Sequence, residues 1–404
     1  MEAQWYARMV ILGAGAVLAA CGGSDESKGG GPSGSGATTA GGSNSGGDTT
    51  SGGSDSGGSD SGGSDSGGSD SGGSDSGGDG SGATSSGGKP SGGAGGNAGG
   101  GAGGNAGGGA GGNAGGGAGG APGAPDGIAV DYPGDQGIES DPAVIFADDF
   151  ESYDDATDLW DRWDNTYQQS ETVIVTDAGS VFAGNQSVAF TLPNNDAELS
   201  NAVEQVASPE VDTLYLRWYQ KIDGNDDIVG SHHNGGAISA HYQGPGLRAD
   251  EAKQFLAAFE SWRGDAAETS PGALNAYVYH FDQRDIWGDH FFPTGLVSPN
   301  TSLPFDFGAD FVARRDITPE LDRWYCYELM LSANTVGSRD GRITLWLDGH
   351  LIADFGNLVF RDDPAIKIDR FSVMFHAGSN PGAATTKYVD NVVAATSYVG
   401  PMIP

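Results

Sequence analysis

Three of the seven histidines in the chain fall within residues 230–242, GSHHNGGAISAHY. His232 and His233 are neighbours, and His241 follows on a short alternating segment ahead of Tyr242. An imidazole titrates near neutrality, so such a group offers metal ligation or proton transfer, unless the rings simply trim a strand. The spacing argues against zinc, because adjacent histidines lack the i, i+4 pairing of HExxH and His241 is not placed as a third ligand. A second set lies in LNAYVYHFDQR, where Tyr277 and Tyr279 alternate onto one face and His280, Gln283 and Arg284 continue at the strand's end. Aromatic rings beside multi-donor polar groups are what a sugar-facing surface presents. Trp262, Arg263 and Arg248 extend that mix. His376 shares parity with Ser372 in FSVMFHAG, opposite Phe371, Val373 and Phe375, which puts it on the polar face. Every one of these residues also has a plainer reading as a solvated loop side chain or a half-buried cross-strand partner.

The elements that must position them are strands. AVIFADDF, ETVIVTD, QSVAFTL, TLYLRWYQKI, GAISAHY, LNAYVYHFD, WYCYELMLSAN, GRITLWLDGHLIADF, DRFSVMFHAG and YVDNVVAATSYV show period-two alternation or continuous apolar runs. Clusters such as DGNDD, GSRDG and GSNPGAA separate them, and WLDGHLI has the Asp-Gly pair of a two-residue hairpin. FLAAFESW stays open between helix and strand, since Phe255, Phe259 and Trp262 have helical spacing. At least ten strands in about 265 residues with little helix predict a single all-β sandwich.

The N-terminal third is different. One arginine precedes the apolar run Met9–Ala20, which is far too short to span a bilayer and predicts a secretory signal over residues 1–20. Leu18-Ala19-Ala20-Cys21 resembles a bacterial lipobox, with Cys21 the lipidated residue. Residues 21–138 form a low-complexity stalk of recurring SGGSD and GGNAGGGA units, with almost no apolar side chain larger than alanine to offset the entropy of ordering. The expectation is an exported protein, lipid-anchored at the bacterial outer membrane or cell surface, carrying a monomeric domain over 139–404. With Cys21 acylated, Cys326 has no disulfide partner, so the domain must rely on a sizeable core. From residue 127 onward the chain has 43 acidic and 16 basic residues, a balance that excludes nucleic acid and leaves the lipid as the only membrane contact.

RWYCYELMLSANTVGSRDGRITLWLDGHLIADF, KIDRFSVMFHAGSN and YVDNVVAATSYVGP, together with FADDFES and LNAYVYHFDQ, resemble the jelly-roll polysaccharide lyases of family fourteen and their glucuronan-lyase relatives. The resemblance implies a two-sheet antiparallel, concanavalin-like jelly roll whose concave face holds a sugar chain. It implies β-elimination on a uronate polysaccharide, with no organic cofactor. On that resemblance His233, Tyr279 and Arg263 would be catalytic. His232, Tyr277, His280, Gln283, Arg284, Trp262 and His376 would line the groove. A structural calcium ion would sit between Glu151 and Asp390. A non-catalytic carbohydrate-binding or adhesion lipoprotein is the alternative that the same residues allow.

Overall fold

The computed structural model describes residues 127–194, 199–230, 232–298, 305–378 and 382–404. Cys21, the signal segment and the glycine-rich repeats lie outside the described residues, as does the side chain of His232. The described chain is an all-β, two-sheet antiparallel jelly roll. An eight-stranded sheet runs in the order β15 (His350–Leu358), β14 (Gly341–Leu347), β13 (Tyr325–Ser332), β6 (Thr213–Ile222), β17 (Thr385–Ala395), β4 (Ser187–Leu192) and β3 (Thr172–Val175). Its eighth strand, β1 (Val144–Asp148), also pairs with β17. A nine-stranded sheet runs β12 (Val297–Ser298), β11 (Asp289–Phe291), β10 (Ala273–Tyr279), β9 (Phe255–Trp262), β8 (Gly236–Ala240), β16 (Ile368–Ala377), β5 (Leu199–Val211) and β2 (Asn165–Tyr167). The two-residue β7 (His232–His233) also pairs with β16.

Alternation decides what each strand contributes to the core. On β6, Leu214, Leu216 and Trp218 point inward and are fully buried, while Tyr215, Arg217, Tyr219 and Lys221 occupy the outer face. Trp218 stacks on Tyr327 of β13 at 5.4 Å and meets Phe259 of the opposite sheet edge-on at 6.1 Å, so one indole joins the two layers. Burying such a ring contributes roughly 2–3 kcal/mol. FLAAFESW resolves as a strand: Phe255, Ala257 and Phe259 enter the core, and Leu256, Ala258 and Glu260 lie on the other face beneath further protein. Burial on both faces produced the apolar run whose period could be read either way. The Asp-Gly hairpin forms as expected, with Asp348 at φ 49° and Gly349 at φ 73°.

Two features depart from the sequence pattern. Strand β5, LSNAVEQVASPEV, is thirteen residues long. Its serines, asparagine, glutamates and proline hid it, and its pairing with β16 over Leu199–Val211 holds it in the sheet. The folded part also begins upstream of the composition change near Glu139. Short 3-10 turns over Ile128–Asp131, Pro133–Asp135 and Ile138–Ser140 cover the outer face of the eight-stranded sheet. There Asp135 pairs with the fully buried Arg217, and Ile138 packs on Val393, Ala395 and Val399. Among the described residues no helix is long and apolar enough to cross a membrane.

Candidate active site on the outer face of the nine-stranded sheet

The outward-facing residues of β9, β10, β11, β7 and β16 converge. Register places Tyr277 opposite Ala258 and His290, Asn275 opposite Glu260, and His233 opposite His376. The rings gather around Tyr277, whose centroid lies 5.0 Å from that of His233 and 4.7 Å from that of His290. His376 stacks 5.4 Å from His233, and Trp262 packs 4.2 Å from His290. The Tyr277 hydroxyl donates to that of Tyr279 at 3.3 Å and accepts the Gly288 N–H at 3.1 Å. Tyr242 meets Tyr279 edge-on at 5.0 Å. Apolar Ala237, Leu256 and Ala258 form the floor beside these rings.

Glu260 organises the polar half. Its carboxylate is completely buried, and Oε2 lies 2.8 Å from Nδ1 of His233 while Oε1 lies 3.9 Å from Nδ1 of His290. A carboxylate accepts, so in this bond the His233 Nδ1–H donates to Glu260 Oε2. His290 is fixed by a different route. Both amide hydrogens of Asn275 go to backbone carbonyls, of Glu260 and Ala273, so its Oδ1 faces His290 Nδ1 at 2.9 Å. An amide oxygen cannot donate, and Nδ1 of His290 therefore also carries a proton. Asn234 is locked in turn: it donates to Ser261 Oγ at 2.8 Å and accepts the Ser261 N–H at 2.9 Å. That two-way bond ties the residue after His233 to the residue after Glu260.

Of the residues singled out from sequence, His233, Tyr277, Tyr279, Trp262 and His376 come together on this one face. His280 does not join them. It leaves the strand on the other side, 3.0 Å from Asp289 and packed against Phe291 and Phe305. Gln283 closes the following turn, accepting the His280 N–H and donating to the Asp285 carbonyl, and Arg284 is exposed on that turn. Arg263 is a loop clasp, its guanidinium spent on the carbonyls of Glu268, Asp227 and Ala266. Arg248 pairs with Asp250 two residues away, and His241 sits at φ 51° where β8 ends. Glu260, His290, Asn275 and Asn234 were missed. The parity of Glu260 with Trp262 was the available signal for the first. His290 sits on a three-residue strand that leaves almost no pattern.

The expected calcium ligands, Glu151 and Asp390, do approach one another, each bound to the segment 182–186. Glu151 accepts N–H groups of Asn185 and Gln186 on Oε1 and the Asn185 amide on Oε2. Asp390 accepts those of Phe182 and Ala183 on Oδ2 and that of Asn391 on Oδ1. All four oxygens face donors, and no group of three or more metal-binding side chains exists among the described residues. This donor set suits a peptide clamp and does not fit a calcium ion, which needs six or more oxygens directed at it. Burial pushes the Asp390 carboxyl up to about 7 against the pull of those N–H groups.

No family model and no curated protein matches the chain. Among solved structures, an alginate lyase Aly36B variant in complex with alginate trisaccharide superposes with a TM-score of 0.47 at 18% identity, over 63% of this chain and 98% of that one. The endo-β-1,4-glucuronan lyase of the fungus Trichoderma reesei gives 0.41 at 13% identity, over 63% and 95%. The cellulose-induced protein Cip1 gives 0.38 at 18% identity, over 63% and 99%.

Proposed function

We propose that this protein is a surface-anchored polysaccharide lyase that cleaves a uronate-containing glycan by β-elimination. The observation that carries the reading is the buried Glu260 carboxylate, bonded to His233 and 3.9 Å from His290, with both imidazoles packed against the Tyr277 ring. β-Elimination needs a base for the proton beside the uronate carboxyl, a cationic or hydrogen-bonding partner for that carboxyl as charge builds, and an acid for the departing glycosidic oxygen. His233, with its Nδ1 proton held by Glu260, presents Nε2 as the base. His290, 3.9 Å from the same carboxylate, neutralises the substrate carboxyl as an imidazolium, having taken up one proton from solvent as the acidic sugar binds. The hydroxyl-linked Tyr277 and Tyr279 supply the proton to the leaving group. Trp262 and Tyr242 flank the cluster as stacking surfaces for the sugar rings, the surfaces that a non-catalytic carbohydrate-binding domain would also use.

In this reading the lipid on Cys21 and the glycine-rich stalk tether the domain at the cell surface, where the polysaccharide partner is found. The test is incubation with a panel of uronate polymers, following the ultraviolet absorbance of the unsaturated product. Product from one of them, lost in His233→Ala, supports the lyase. Retention of a labelled glycan without any product supports the binding domain instead, and product formation undiminished in His233→Ala overturns the assignment of the base.

A further inference from the structure

A buried lysine lies behind this cluster. Lys387 is on β17, in the opposite sheet, and shares its inward parity with the core residue Val389. Its side chain is fully buried and crosses the sandwich interior, where Nζ donates to the Gly235 carbonyl at 2.8 Å and the Met374 carbonyl at 3.0 Å. Both carbonyls belong to the crossing from which the site histidines project. Gly235 lies two residues after His233, Met374 two before His376, and the Met374 N–H closes the crossing by donating to the Gly235 carbonyl at 3.0 Å.

The surroundings make that crossing demanding. A Cβ on Gly235 would stand 1.7 Å from the Phe259 carbonyl oxygen, and one on Gly236 2.9 Å from the Trp218 ring. The chain there is wedged between the backbone of β9 and the indole that joins the sheets. A lysine interior to a sandwich, with no carboxylate in contact among the described residues, is unfavourable relative to an apolar side chain. Burial does push Lys387 well below the ordinary lysine range, with the charge of Glu260 pulling the other way. A methionine would fill the same volume without that cost. The lysine adds two hydrogen bonds at one place, from the far side of the sheet from Glu260.

We infer that Lys387 is a positioning residue for the cluster: from the core it holds the Gly235 and Met374 carbonyls, and so fixes the ring of His233 against Glu260 and Tyr277. This rests on reading the cluster as catalytic, but its consequence for His233 is measurable without any substrate. The experiment uses the full chain labelled with 15N-histidine, as wild type and as Lys387→Met, with the His233 resonances identified by their absence in His233→Gln. In the wild type the Nδ1 proton of His233 is expected as a slowly exchanging signal in its bond to Glu260. In K387M that signal shifts and exchanges faster while the circular dichroism spectrum is retained.

With an active polymer in hand, K387M lowers kcat by about 10–100-fold, the scale of a small misplacement of a reacting group, and leaves KM within about twofold. Should K387M fail to fold, Lys387→Gln, whose shorter amide reaches one carbonyl at most, serves for the same comparison. An unchanged His233 Nδ1 signal in a folded variant overturns the inference, whatever the activity. A displaced signal in a protein that cleaves no uronate polymer supports the inference and removes the lyase reading instead.

Discussion

At the scale of single residues, Glu260 governs the site because it has no solvent to share its charge with. Its surroundings are the His233 ring bonded to Oε2, the His290 ring 3.9 Å from Oε1 and the Lys387 side chain behind the sheet. On the proposed lyase reading, Glu260→Gln keeps the shape and an acceptor for His233 but replaces the carboxylate that orients its ring. The expected result is a loss of about 10²–10³ in kcat, within the range for general acid–base groups, with glycan affinity nearly unchanged, read by product absorbance and by binding titration. Tyr277 and Tyr279 were legible because alternation on a strand states which residues share a face. The His233–Glu260 bond was not legible, since it joins residues 27 apart in sequence and depends on a register that no local pattern specifies. Arg263 shows the opposite error, a cation near the site in sequence whose guanidinium instead binds the carbonyls of Glu268 and Ala266 in its own loop and of Asp227 in a neighbouring one.

Among the elements, the β7–β8 crossing carries the site and is also a tightly packed part of the sheet. Gly235 leaves no room for a methyl group beside the Phe259 carbonyl, so Gly235→Ala should cost about 1–3 kcal/mol, as overpacking does. Chemical denaturation midpoints would show this, and the same variant should lose activity beyond its loss of stability because His233 lies two residues away. The Asp348–Gly349 hairpin is the control. Gly349→Ala, strained at φ 73°, should cost about 1 kcal/mol and leave activity intact, since that turn belongs to the other sheet. The hairpin was readable from its dipeptide alone. The crossing was not, because two glycines after two histidines read as an open loop until β16 is laid alongside.

For the molecule as a whole, charge and buried acids set the response to pH. Besides Asp390, Glu328 is buried with its carboxylate on the N–H groups of Val399 and Gly400, and burial pushes it up to about 7. Unfolded, such acids titrate near 4. Between about 4 and 7 the folded state therefore holds protons that the unfolded chain has released, so stability falls as pH rises through that window and levels off above it. The net charge of −35 adds self-repulsion of the same sign. The melting temperature should rise between pH 8 and pH 5.5, and Glu328→Gln should flatten that slope in a calorimetric series. A melting temperature independent of pH over that interval would contradict the burial of both carboxyls.

The stitching of the first described residues to the last has a consequence for the connectivity of the chain. Ile128 and Ala129 donate to the carbonyls of Tyr398 and Val399, and Gly134 to that of Ile403, so the two ends of the sandwich run side by side. A circular permutant that joins Pro404 to Gly127 through a few linking residues, and is reopened in the exposed turn around Gly337, should keep the same hydrogen-bond ladder. Order along the polypeptide is then dispensable for the cluster around His233, and only adjacency in space must survive.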